Sequence, residues 1–267
     1  ERLVQVEKDR QRIQSDLEIA REVQNQLYPR EVPEVPGLCI RAARSPARVV
    51  SGDYYDFQRL ARGELALAIG DVAGKGISAA LLMATIQSSV RMEMRAFLEA
   101  SAAAPGGGGQ GHSISTSAMV SQLNQHLYEF TAAEKYATFL FAVYEPATSM
   151  LTYTNAGHLP PILVRDGRCS RLEVNGTVVG AFPFCTYEET RLRLEPGDLL
   201  ALFTDGITEP ENAYGEMYGE ERLADLVSRN ADRGEDEIIQ EIMQSVRQWT
   251  GSDELQDDMT LVVMRRQ

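Results

Sequence analysis

Four short segments each set an aspartate at the edge of an apolar run. They are Ser51-Gly-Asp-Tyr-Tyr-Asp56, Ile69-Gly-Asp-Val-Ala-Gly-Lys-Gly76, Phe203-Thr-Asp-Gly-Ile-Thr-Glu209 and Asp257-Asp-Met-Thr-Leu-Val-Val263. Singly, each has an ordinary explanation, because Asp-Gly is a common turn and Asp a common helix cap. Four in one chain point elsewhere. If Asp53, Asp71, Asp205 and Asp257 converge, their mutual repulsion must be relieved by protonation or by bound cations, and cations are the natural answer at neutral pH. Oxygen-only donors select hard ions, so Mg²⁺ or Mn²⁺ suits such a set better than zinc. No His-x-x-x-His or comparable His/Cys cluster competes with that assignment.

Other reactive residue types carry weaker signals. Gly74-Lys75-Gly76 before a helical pattern reads in two ways: as a nest of backbone amides meeting phosphate, or as small residues that let the helix pack against the Asp71 turn. Packing is the preferred reading. A nucleotide phosphate loop is excluded, since the glycine spacing is one residue short and Gly76 stands where Ser or Thr is required. His158, in Asn155-Ala-Gly-His-Leu-Pro-Pro161, is read as fixing a turn between strands rather than as catalytic. His112 and His126 are given no role. Cys39, Cys169 and Cys185 show no CxxC spacing, so free thiols in a reducing cytosol are expected. The residues around Cys185 supply no activating basic loop for a thiolate. A net charge of −13 argues against nucleic acid, DNA included.

The positioning elements follow from periodicity. Strands are expected at Leu38–Ala43, Glu64–Ile69, Tyr136–Tyr144, Met150–Thr154, Pro161–Arg165, Arg191–Leu194, Leu199–Phe203 and Thr260–Met264, with Asp166-Gly167 in a hairpin position. Helices are expected at about 77–100, 117–130, 220–229 and 236–249, the last with Ile238, Ile239, Ile242, Met243, Val246 and Trp249 on one stripe. Strands clustered around grouped helices imply an α+β fold, an antiparallel sandwich covered by helices. Ser101–Gly111 reads as a flexible loop.

Residues 1–28 carry Leu3, Val6, Arg10, Ile13, Leu17, Ala20, Gln24 and Leu27 at helical spacing, and Pro29 ends the pattern. Two readings stand, a coiled-coil linker from an upstream sensor or a helix packed on its own domain, with packing favoured for residues 17–28. Residues 29–267 form the second unit. The chain opens without Met inside a helical pattern, so a fragment of a longer protein is expected. A cytoplasmic setting is expected for the fragment, with membrane attachment of the parent left open.

The ordered set SGDYYDF, IGDVAGKGISAALLMA, NAGHLPP, LFTDGITE and DDMTLVV resembles the bacterial branch of the metal-dependent (PPM, type 2C) protein phosphatases, more narrowly the SpoIIE/RsbU type. LEIAREVQNQLYP resembles the helix leading into that branch's catalytic domain, and the likeness spans about residues 17 to 265. A two-metal nucleotide cyclase would also use aspartates, but the order of the five motifs does not suit it. The resemblance implies two antiparallel sheets flanked by helices (αββα) with two Mn²⁺ or Mg²⁺ ions at one end. It implies that Asp71 bridges them, that Asp205 and Asp257 complete one, and that Asp53 and the backbone carbonyl of Val72 hold the other. Asp56 and Asp258 are read as supporting residues.

The implied activity is hydrolysis of phosphoserine or phosphothreonine on a partner protein by a metal-activated water. By family likeness the substrate is a phosphorylated STAS-type anti-sigma-factor antagonist in stress-response signalling. The alternative is a weak or inactive phosphatase-like domain acting as a regulated signalling or scaffold module. An upstream sensor and homodimerisation through residues 1–28 are the other implied partnerships. Glu211–Glu221 reads equally as a flap near substrate or as an ordinary acidic loop.

Overall fold

The computed structural model describes residues 2–60, 63–103, 114–131 and 135–267. His112, and the Ser101–Gly111 loop from residue 104 onward, lie outside the described residues. The elements run α1 (Arg2–Asn25), β1 (Leu38–Ser45), β2 (Asp53–Arg59), β3 (Leu65–Val72), α2 (Ile77–Ala103), α3 (Thr116–Phe130), β4 (Ala137–Glu145) and β5 (Met150–Ala156). They continue with β6 (Ile162–Arg165), β7 (Arg168–Arg171), β8 (Thr190–Arg193), β9 (Leu199–Phe203), α4 (Asp205–Thr208), α5 (Glu220–Arg229), α6 (Glu235–Thr250) and β10 (Met259–Arg266).

The strands form two antiparallel sheets, one in the order β1-β10-β9-β6-β7 and the other β2-β3-β4-β5-β8. Strand alternation sorts the core into three layers. On β3, Leu65, Leu67 and Ile69 face the other sheet and meet Leu200, Leu202, Val262 and Met264. The alternate residues Ala66 and Ala68 pack beneath α2 and α3 with Met83, Ile86, Val120 and Leu123. On the outer face of the first sheet, Ala201, Phe203, Leu261 and Val263 meet Leu223 of α5 and Ile238, Ile242 and Val246 of α6. Central strands buried on both faces read as unbroken apolar runs, and each fully buried Leu or Ile side chain contributes about 1.5–3 kcal/mol. The expected αββα sandwich is the architecture found.

Some details differ from expectation. The Ser51–Asp56 segment is a turn only to Gly52, and Asp53 already opens β2. β7, an edge strand exposed at all four residues, has no apolar signal; Asp166 (φ 50°) and Gly167 (φ 70°) make its expected hairpin turn. In α1 the spaced apolar residues Leu3, Val6 and Ile13 are exposed, whereas Gln24 near its end and Tyr28 just beyond are buried. All three cysteines are free. No described helix is long and apolar enough to cross a membrane.

Candidate active site

The β2–β3 ladder sets Asp53 directly opposite Asp71, in one end of the sandwich. Their carboxyls interact directly, and the charges of Asp205 and Asp257, which arrive from the other sheet, also act on Asp71. Asp205 opens α4 just after β9, and Asp257 precedes β10. These two come together because residue 206 is glycine. A Cβ there would lie 1.9 Å from the Asp258 carbonyl oxygen, so any side chain would force the two turns apart. Gly52 sits against the same end of β3, where a Cβ would lie 3.2 Å from the Ala79 Cβ, 3.4 Å from the Val72 carbonyl and 3.6 Å from an Asp71 carboxyl oxygen. The structure thus brings the sequence-selected Asp53, Asp71, Asp205 and Asp257 into one charged neighbourhood, with the end of β3 at Val72 beside it.

Burial and crowding of like charge show in the carboxyls. Burial, then the charge of Asp71, raises Asp53 well above the usual carboxyl range, and hydroxyl bonds from Thr260 and Thr204 pull it back. Burial, then Asp205 and Asp257, pushes Asp71 up to about 7. Burial, then Asp257 and Glu209, pushes Asp205 up to about 6. Such a set favours protons or cations over bare carboxylates.

Several residues support the site, among them Asp258, expected from sequence in that part, and Thr204, Thr260 and Tyr28, which were not singled out. Thr204 and Thr260 both donate to the same oxygen of Asp53, at 2.7 and 2.6 Å. Asp258 accepts from the amides of Ala47 (2.8 Å) and Gly52 (2.9 Å), tying down the loop before Asp53. From α1, Gln24 donates to the Ser51 carbonyl (2.7 Å) and accepts from the Ser51 amide (3.0 Å). Tyr28 donates to the Asp53 carbonyl at 2.6 Å. A buried Gln bonding only backbone leaves no pattern in sequence; Thr204 and Thr260 do neighbour the motif aspartates, which is a readable signal.

Asp56 is buried and held by a two-pronged contact from Arg91 at 2.8 and 3.0 Å, so its role is to fasten α2 to β2. His158 is buried beside the site, with its Nδ1 2.9 Å from the Thr138 hydroxyl. Burial pushes His158 down to about 4, so it is neutral at physiological pH. Its loop is pinned by reciprocal bonds with Asn155, as a turn-fixing role requires. His126 stands on α3, 3.9 Å from Glu93. The preferred packing reading of Gly74 and Gly76 does not hold. A Cβ at Gly74 would meet nothing within 4 Å and one at Gly76 only Arg48 at 3.9 Å, so these glycines are needed for their φ of 104° and 79° instead. Residues 211–217 are tied to the Asp257 turn through Gln256, which exchanges two hydrogen bonds with the backbone of Glu211.

Lys75 forms the one ion pair made by the four aspartates among the described residues, 2.5 Å from Asp257. In this conformation no three described His, Cys, Asp or Glu side chains close around a common point. The donor set itself is all oxygen and strongly anionic, and it fits hard divalent cations.

A family profile described as Stage II sporulation protein E (SpoIIE) matches residues 61–267. The chain is similar to the phosphoserine phosphatase RsbU of Bacillus subtilis, 32% identical over 258 residues that cover 96% of this chain and 71% of RsbU. It is also similar to protein IcfG of Synechocystis, 30% identical over 263 residues, 94% of this chain but 41% of that protein, so it spans less than half of IcfG. The fold is that of the SiaA PP2C domain of Pseudomonas aeruginosa, with a TM-score of 0.78 at 19% identity, covering 96% of this chain and 98% of that domain.

Proposed function

The chain belongs to the SpoIIE family of PP2C-like phosphatases, and on that footing we propose that it removes phosphate from phosphoserine or phosphothreonine on a partner protein, using two divalent cations. The observation that carries this reading is the facing pair Asp53 and Asp71 with Asp205 and Asp257 brought against them. Asp71 would be shared by both cations, Asp205 and Asp257 would complete one, and Asp53 with the Val72 carbonyl would hold the other. Bound there, Mg²⁺ or Mn²⁺ would lower the pKa of water and neutralise phosphoryl charge.

The chain's own groups set the geometry for in-line attack of water on phosphorus, with the serine or threonine oxygen leaving. Register fixes Asp53 against Asp71. Two threonine hydroxyls orient Asp53, and Asp258 steadies the Gly52 amide. Such pre-set groups lower the reorganisation needed during reaction.

By likeness to RsbU, the proposed substrate is a phosphorylated STAS-type anti-sigma-factor antagonist in the cytoplasm, with an upstream sensor acting through α1. The exposed Leu3, Val6 and Ile13 are proposed to meet a second copy of the helix. The Lys75–Asp257 pair favours a second reading alongside the first, a domain that works only once its site is reordered.

Calorimetric titration of Mn²⁺ into EDTA-treated protein tests the reading. Two cations per chain are expected, with binding lost in Asp71→Asn and reduced in Asp205→Asn. Equal binding by all three proteins would refute the ligand set.

A further inference from the structure

Resting on the two-cation reading, we infer that Lys75 is a positioning residue whose ammonium holds Asp257 in the metal-free chain and must leave before a cation binds there. The Asp257 carboxylate has both oxygens engaged. One accepts from the Asp258 amide at 2.9 Å, and the other meets Lys75 at 2.5 Å. The ammonium also lies 3.4 Å from the Gln256 carbonyl, so it sits over the turn that presents Asp257. Its charge reaches Asp205 as well, the other aspartate assigned to the same cation. A divalent ion and an ammonium on one carboxylate oxygen repel each other, so the two states exclude one another.

The turn is built to let Lys75 go. Its side chain is 46% exposed, and its neighbours Gly74 and Gly76 have almost no atoms within reach of a Cβ. A four-carbon stem on such a turn swings into solvent without disturbing the core. Lys75 therefore keeps the Asp257 side of the site neutralised and folded until metal arrives, and it opposes metal entry. The sign of its effect separates this role from a merely structural one: removing a structural residue weakens cation binding, whereas removing a competitor tightens it.

The test is calorimetric titration of Mn²⁺ into the EDTA-treated full chain for wild type, Lys75→Met, Lys75→Arg and Arg48→Met, with Asp71→Asn as reference. Lys75→Met is expected to bind about fivefold more tightly, the weight of a partly exposed ion pair. Lys75→Arg keeps the charge and is expected to stay within about twofold of wild type. Arg48 stands beside the same turn, so Arg48→Met is also expected to stay close to wild type. Unchanged or weaker binding by Lys75→Met overturns the inference. Equal tightening by Arg48→Met overturns it too, since the effect would then be general charge rather than contact. If Asp71→Asn binds like wild type, the two-cation reading falls with it. If Asp71→Asn loses binding and Lys75→Met is unchanged, the role of Lys75 alone falls.

Discussion

Replacing Asp71 by Asn is expected to stabilise the metal-free protein. The carboxyl is pushed from 3.8 to about 7. That is roughly 3 units at about 1.4 kcal/mol each, or about 4 kcal/mol of penalty for ionising it in the fold. The group is not wholly buried and its titration is shared with Asp53, so about 2 kcal/mol is the fair expectation. The sign follows from proton linkage. A carboxyl raised in the fold binds more protons there than in the unfolded chain between pH of about 4 and 7, so its favourable contribution at low pH is lost as pH rises through the folded value. Asn carries no such penalty. Its advantage is therefore expected to be about 2 kcal/mol at pH 8 and to shrink toward zero as pH falls to about 4. Urea unfolding in EDTA, followed by the fluorescence of the single tryptophan, Trp249, reads this directly. With Mn²⁺ added the order should reverse, because only wild type gains from binding. A less stable Asp71→Asn at pH 8, or an advantage that ignores pH, would refute the reasoning.

Three further outcomes are expected. Thr260→Val removes one of the two hydroxyls on the buried Asp53 oxygen and should cost about 2 kcal/mol in urea unfolding; no change would mean the hydroxyl does not hold that carboxyl. Arg91→Met leaves the buried Asp56 without its two-pronged partner and should lower stability by about 2–3 kcal/mol, less than for a fully buried pair because Arg91 is exposed; thermal melts check it. Gly206→Ala places a Cβ against the Asp258 carbonyl and is expected to weaken Mn²⁺ binding about tenfold or more, since a small misplacement of ligands is costly; unchanged calorimetry would show that the turns can separate freely.

What the sequence disclosed follows from how each feature is stabilised. β9 and β10 are buried on both faces, so their apolar runs are unmistakable, as is the α6 stripe. β2 is hidden by polar residues with distant partners, Asp53 and Asp56 among them. The four aspartates were legible because each sits at a strand end with a glycine or a second aspartate beside it. What holds Asp53 was not, since Thr204 follows β9 and Thr260 lies on β10 of the other sheet, 151 and 207 residues away in the chain. Nor was the contact of Lys75 with Asp257, which depends on where two turns meet. Packing of residues 17–28 on the domain was expected, but not that Gln24 and Tyr28 would make it: helical periodicity reports apolar faces, and this contact is made through hydrogen bonds to backbone.

The most direct test of the account is phosphate release from a phosphoserine peptide by the purified chain, with Mn²⁺ and with EDTA, for wild type and Asp71→Asn. Release that requires Mn²⁺ and disappears in Asp71→Asn is the expected result. Release that survives both EDTA and the substitution would contradict it.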